Sequence, residues 1–225
     1  MKTINKVCGG LLGFALFSSP AAFAQDDSLL KFGVDYWWGQ TEVNEVDRDN
    51  SNAPSFYLAY EHSAKYWPNV GFRYTTVDAD YMAFDKSDLM FYYNLLTHDV
   101  LHFDAGIAFT NYANSKYVNA ADSSKNTDFD KNTWNLFAQA EITIPNTNFD
   151  VIGAMEFSDR NDLKTTDLEA GVQYRLAFEG QRQLALKGGY RAIDIESRDF
   201  AISGDEYGKE FIFVSGWFVR AEYQF

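Results

Sequence analysis

The chain has 225 residues, with 32 Asp+Glu against 19 Lys+Arg and a net charge of −13. That balance argues against a nucleic-acid partner, whose phosphates require a basic surface. A single Cys excludes a disulfide scaffold, and 46% apolar residues exclude a disordered tail. Mean hydropathy is −0.32, yet 5 Trp, 14 Tyr and 20 Phe make the chain rich in aromatics. A chain that is polar on average and aromatic in detail must separate the two residue by residue.

In chain order, Lys2 and Lys6 form a short basic start, and an apolar stretch runs from Val7 to Phe17. Ala22-Phe23-Ala24 then reads as the small-x-small cleavage site of a secretory signal peptide. The stretch is short of the roughly 20 apolar residues that span a bilayer. Residues 1–24 are therefore expected to be removed, leaving 25–225 as a single domain. Cys8 precedes most of the apolar stretch, where a lipid-bearing Cys would follow it. It is expected to leave with the signal peptide, which removes thiol chemistry from the remainder.

Beyond that point the chain alternates with the period of a β-strand. In 167–178, Leu168, Ala170, Val172, Tyr174, Leu176 and Phe178 share one face, while Asp167, Glu169, Gly171, Gln173, Arg175 and Ala177 share the other. Segment 134–144 sets Trp134, Leu136, Ala138, Ala140, Ile142 and Ile144 against Asn135, Phe137, Gln139, Glu141 and Thr143. Ten such segments are expected: 29–43, 55–61, 69–77, 87–96, 100–112, 133–144, 148–158, 166–178, 183–195 and 209–225. Their connections alternate short and long. The short ones are 62–68, 97–99, 145–147 and 179–182. The long ones are 44–54, 78–86, 113–132, 159–165 and 196–208, and they hold more acidic than basic residues.

An even strand count with short turns at one end and long loops at the other is the pattern of an outer-membrane up-and-down antiparallel barrel, with both termini periplasmic. Eight strands are the alternative if 55–77 pairs differently. Three features put the apolar face outside, toward lipid. The apolar faces run for about ten residues nearly free of charge, the length of a tilted membrane strand. The other faces carry Arg73, Asp104, Glu141, Glu156, Glu169, Arg175, Lys187, Arg191, Arg220 and Glu222 in mid-strand. A dry soluble core could not hold so many charges. Aromatics also gather at strand ends, as Trp38, Trp67, Trp134 and Phe178 do, where interfacial girdles belong.

The last segment places Trp217, Val219, Ala221, Tyr223 and the final Phe225 on one face. It resembles the terminal strand that the outer-membrane assembly machinery of Gram-negative bacteria recognises. Tyr60-Glu61-His62, Trp67-Pro68-Asn69-Val70, Asp88-Leu89, Phe91-Tyr92-Tyr93 and Phe103-Asp104-Ala105-Gly106 resemble a family of small proteobacterial outer-membrane β-barrel proteins. Ser63 stands where that family commonly has Pro, and the likeness is strongest over residues 55–110. The resemblance implies the fold and the location, and no particular activity.

Candidate chemistry is sparse. His62 and His98 fall in short turns, and His102 falls just inside a strand, where it shares an inward face with Asp104. That pair could form a base and its orienter, but the expected role is a hydrogen-bonded pair in the lumen. No catalytic residue is assigned, and the expectation is no enzyme; a lipid A-modifying or proteolytic barrel is the outside alternative. Asp47-x-Asp49, Asp78-x-Asp80 and Asp128-x-Asp130 fall in long loops, but the ligand count of a calcium site is missing. No metal site and no cofactor are expected.

The inward faces collect Lys31, Arg73, Arg175, Lys187, Arg191 and Arg220 against Asp35, Glu61, Asp88, Asp104, Glu141, Asp150, Glu156, Asp167, Glu169 and Glu222. This mixture suits a salt-bridged plug. Alternatively, Arg175, Lys187, Arg191 and Arg220 could form a basic stripe facing an acidic wall in a narrow channel for small solutes or cations. The leading expectation is a structural or surface-interaction protein that works through acidic loops. Its partners would be outer-membrane lipids and lipopolysaccharide, bridged by divalent cations, together with the assembly machinery.

Overall fold

The structure, a computed structural model, describes residues 28–43, 46–119, 124–160, 163–197, 200 and 210–225. The expected signal peptide lies outside these residues. Ten long strands form: β1 (Ser28–Val43), β2 (Val46–His62), β3 (Asn69–Asp78), β4 (Met82–Thr97), β5 (Leu101–Val118), β6 (Lys131–Thr143), β7 (Phe149–Arg160), β8 (Leu163–Ala177), β9 (Gln183–Ser197) and β10 (Glu210–Gln224). Each pairs antiparallel with the next, and β10 pairs with β1 from Lys31↔Gln224 to Val43↔Ile212, so the sheet closes on itself. A two-residue strand, Asn126–Thr127, adds to the end of β5. The eight-strand alternative is excluded, because β2 and β3 pair as separate strands from Ser55↔Thr75 to Tyr60↔Val70.

Closure gives the sequence alternation its meaning. At mid-height, Phe32, Val34, Leu58, Leu136, Val151, Leu168, Val172, Leu186 and Val219 are exposed on the outside, while Asp35, Arg73, Glu156, Asp167, Glu169, Arg191 and Arg220 point inward. Aromatics border the apolar band. Trp38, Phe109, Trp134, Tyr190 and Trp217 lie along one edge, and Tyr60, Tyr93, Phe178 and Phe225 lie along the other. Some pack on one another, as Tyr190 and Trp217 do edge-on with centroids 5.5 Å apart.

The strands outrun the membrane. About ten residues cross hydrocarbon, but β2 has 17 and β5 has 18. The surplus lies at the end opposite the termini, here termed the far end. Segment 44–54, expected as a loop, is mostly strand, because β2 begins at Val46; likewise β4 begins at Met82 and β5 runs on to Val118. Only residues 44–45 separate β1 from β2, and only 161–162 separate β7 from β8.

In this projecting part the polarity inverts. Asn52, Asp78, Asn111, Asn132 and Asp159 are exposed on the outside. Inside, Trp37, Val77, Met82, Phe84, Tyr112, Leu163, Ile193, Ile195, Ile212 and Val214 form one buried apolar cluster. A barrel wall standing in water needs an apolar interior, just as a wall standing in lipid can hold a polar one. One close approach supports the cluster. Gly39 and Gly216 face each other across the β1–β10 seam, and a Cβ on Gly216 would fall 1.8 Å from the Trp38 carbonyl oxygen. Without it the strands coil tightly, and the Trp37 Nε1–H reaches Gly216 O at 3.1 Å.

Candidate functional site

The lumen is filled in layers. In the middle layer, Lys86 is fully buried, with Nζ at 2.8 Å from Asp88 Oδ2, 2.8 Å from Glu156 Oε2 and 2.9 Å from Asp167 Oδ2. Those carboxylates come from β4, β7 and β8, so one ammonium ties both sides of the barrel together. Arg191 donates from Nε and Nη2 to the two Asp167 oxygens at 3.0 and 2.8 Å, a bidentate pair. Its Nη1 reaches Thr75 Oγ1 at 3.2 Å, on β3. Arg220 grips Glu169 at 2.9 and 2.8 Å and Asp35 at 2.9 and 2.6 Å. Arg73 completes the layer, 4.0 Å from Glu169 Oε2. Asp88 Oδ1 accepts from Thr110 Oγ1 at 2.6 Å, and Asn135 Nδ2 donates to Thr110 Oγ1 at 2.8 Å.

Lys86 was missed by sequence reasoning. The signal was present: Lys86 sits two residues before Asp88 and therefore shares its face. It was hidden because 78–86 reads as a polar loop.

Toward the end bearing the termini, here the terminal end, the pairs are as short but more exposed. Lys31 Nζ lies 2.8 Å from Glu61 Oε1, which also accepts from Tyr92 OH at 2.8 Å. Lys187 meets Glu222 at 3.0 Å, and Arg175 Nε lies 2.8 Å from Asp150 Oδ2. Gln173 Nε2 bridges Asp150 at 2.6 Å and Glu141 at 3.3 Å. The basic stripe conceived for Arg175, Lys187, Arg191 and Arg220 does not stand apart from the acids, since each of these cations has a carboxylate of its own. Asp104 Oδ2 accepts from Gln139 at 2.7 Å, and Asp104 Oδ1 lies 3.1 Å from His102 Nε2. Asn94 Nδ2 lies 2.9 Å from the same ring nitrogen, so His102 has an amide and an orienting carboxylate beside it.

Above the charges the apolar cluster closes the far end. Phe129, from the β5–β6 connection, and Phe200, beyond β9, lean into it with ring centroids 5.5 Å apart. Tyr117 packs on Phe200 at 5.0 Å, and Phe84 lies 6.0 Å from Phe129.

Two of the paired aspartates of the far end, Asp49 and Asp130, accept hydrogen bonds through their side chains. Asp47 and Asp49 lie in β2 rather than in a loop. Asp49 accepts from the Thr41 hydroxyl and from the Asp80 N–H at 2.5 Å, which joins the β1–β2 hairpin to the β3–β4 turn. Asp130 accepts from the Ser115 N–H at 2.8 Å and hydroxyl at 2.6 Å, and these donors hold its carboxyl below the usual carboxylate range. Among the described residues, no group of three or more His, Cys, Asp or Glu side chains is placed to hold a metal ion.

The C-terminal face behaves as a lipid-facing strand: Trp217, Val219 and Phe225 are exposed, and Tyr223 packs edge-on against Phe225 at 4.7 Å.

A closed ten-stranded barrel, apolar outside and charged within over one membrane thickness, is a transmembrane β-barrel of the outer-membrane class. Among solved structures the chain is similar to three barrels in particular. The β-domain of the Bordetella autotransporter BrkA is 11% identical, with 87% of this chain and 98% of that one covered and a TM-score of 0.46. The outer-membrane protease OmpT of Escherichia coli is 9% identical, with 90% and 97% covered and a TM-score of 0.44. The COG4313 outer-membrane channel of Pseudomonas putida F1 is 12% identical, with 92% and 98% covered and a TM-score of 0.38. No role of those proteins is carried over to this chain. No family profile and no curated protein matches it.

Proposed function

We propose that the chain is a non-conducting outer-membrane barrel of a Gram-negative bacterium that presents a stiff, acidic surface at its far end. In this reading both termini are periplasmic, and the likeness of residues 55–110 to the small proteobacterial barrels reflects kinship. The observation that carries the reading is the apolar cluster inside the far end, where Trp37, Phe84, Tyr112, Phe129 and Ile193 meet. A hydrated solute passing from one mouth to the other would have to part these side chains after breaking the Lys86 and Arg191 ion pairs. The two layers obstruct by different means, one by desolvation and one by packing.

The partners follow from the outside surface. The apolar band meets lipid. The exposed Asp47, Asp78, Asp80 and Asp159 face the anionic lipopolysaccharide headgroup layer, where divalent cations would bridge the two. The face of Trp217, Val219, Tyr223 and Phe225 engages the assembly machinery during insertion.

Conductance of the purified, refolded barrel in a planar bilayer tests the reading. The expected result is no discrete current steps. Steps of reproducible size that disappear when the protein is unfolded would establish the narrow-channel alternative instead. For the enzyme alternative, lipid A and phospholipid profiles are expected to be identical with the native protein and with His102→Ala/Asp104→Ala.

A further inference from the structure

The terminal end carries a cleft of about 600 Å³, within the size range of small-ligand sites. The β2–β3 turn contributes His62, Lys65 and Trp67 to its walls, the end of β4 contributes Tyr93 and Asn94, and Gln181 reaches in from the β8–β9 turn. Glu61 and Asn69 lie at its inner side, where the filled lumen begins.

The wall is pre-organised. The Ala64 N–H donates to His62 Nδ1 at 3.1 Å, the His62 N–H to Asn69 Oδ1 at 2.9 Å and the Trp67 N–H to Ala64 O at 3.3 Å. Tyr93 OH donates to Tyr66 O at 3.3 Å and so fixes the turn to β4. On this turn the two neighbouring aromatics have different surroundings. Tyr66 is 82% exposed and does not line the cleft, as suits an interfacial anchor, whereas Trp67 is 73% exposed and does line it. Trp67 thus offers an open aromatic face at the rim of a cleft whose other walls are largely polar.

The polar groups define what would. Glu61 Oε1 is taken by Lys31 and Tyr92, which balances its charge and leaves Oε2 as an acceptor. Asn69 uses its oxygen for the His62 N–H and keeps its amide hydrogens as donors. Gln181 brings a carboxamide that both donates and accepts. The Lys65 ammonium lies 5.9 Å from the Tyr66 ring, so it leans toward the outside. A hydrocarbon ligand would strip water from these amides and leave them without partners. A strongly anionic ligand would need a cation in the cleft, and Lys65, the one Lys or Arg of its lining, turns its ammonium to Tyr66.

We propose that this cleft is a saccharide-binding site, in which Trp67 lies against the C–H face of a sugar ring and Asn69, Gln181 and Glu61 Oε2 hydrogen-bond its hydroxyl and amide groups. The indole supplies apolar area at little rotamer cost, and the carboxamides supply direction. The proposal rests on the lining of the cleft and not on the closed-lumen reading. A barrel that conducted would refute that reading and leave this one standing.

Calorimetric titration of the refolded full-length barrel in detergent with the trimer of N-acetylglucosamine tests it, with folding of every variant checked by heat-modifiable gel migration. The expected result is saturable binding that Trp67→Ala weakens by about tenfold or more, as loss of an aromatic anchor does. Gln181→Ala should weaken it less, and Tyr66→Ala should leave it unchanged. No saturable binding at tens of millimolar trimer overturns the proposal. Equal weakening by Tyr66→Ala and Trp67→Ala overturns it as well. So does a Trp67→Ala barrel that binds the trimer normally and differs only in its partition into phospholipid vesicles, which makes Trp67 a membrane anchor.

Discussion

Arg220 on the last strand and Asp35 on the first are direct register partners, with Nη2 2.6 Å from Oδ2 across the seam that closes the barrel. The same guanidinium holds Glu169 on β8, so one side chain links the seam to the strand beyond β9. Arg220→Met leaves Asp35 and Glu169 as buried carboxylates without their cation, and about 3–5 kcal/mol of stability should be lost. Replacing all three with apolar residues of similar volume should recover most of it. Urea unfolding in lipid vesicles, followed by tryptophan fluorescence, measures both.

Lys86 offers a second test, because its loss exposes a different imbalance. Lys86→Met leaves Asp88, Glu156 and Asp167 close together with Arg191 and Arg73 as the nearby cations that remain. Destabilisation of about 3–5 kcal/mol is expected. Lys86→Met/Glu156→Gln should be more stable than Lys86→Met alone. A double-mutant cycle that showed simple additivity would mean the two side chains do not interact.

The band that meets lipid can be mapped with single charges. Val172→Arg, at mid-band on β8, should cost about 2–4 kcal/mol, as cations do at the bilayer midplane. Asn132→Arg, on the projecting wall, should cost within about 0.5 kcal/mol of nothing, as surface changes do. Equal costs at the two sites would misplace the membrane boundary.

Phe129 closes the far end by packing on Phe84, Tyr112 and Phe200. Phe129→Ala should cost about 3–5 kcal/mol locally. It should also release the β5–β6 connection, so that limited proteolysis of the variant cuts there first while the membrane-embedded strands resist. Hydrogen exchange at Tyr112 and Tyr117 should rise in step.

Asp130 supplies a pH dependence. Its carboxyl is held below the usual range by the Ser115 hydroxyl and N–H, so its folded value is the depressed one. The stabilisation is therefore complete above the ordinary carboxylate range and is lost as pH falls through the lower, folded value. Ser115→Ala should move the Asp130 midpoint upward in a carboxyl-detected NMR titration, and the Phe129 contact should loosen at a correspondingly higher pH.

The strand faces were legible because a period of two survives in nearly every strand, as Leu168 through Phe178 shows. The lengths were less legible. Residues 46–53 carry Asp47, Arg48, Asp49, Asn50 and Asn52 and read as a loop, because the outward side of this wall is polar and its inward side offers only the small Ser51 and Ala53. A reader who expects one polarity along the whole strand stops at the point of inversion. Contacts such as Lys86 with Asp167 were out of reach for another reason. They span β4 to β8 and exist only once the sheet has closed.

The two-residue breaks at 44–45 and 161–162 have a consequence for anything that lands on the far end. On these two hairpins the described exposed groups are carried on hydrogen-bonded strands, so they form a grid with side chains about 7 Å apart along each strand and roughly 5 Å between strands. A docking molecule would find its contacts already spaced, with little backbone freedom left to freeze. Substitutions on such a grid change one contact at a time and leave the spacing of the others intact.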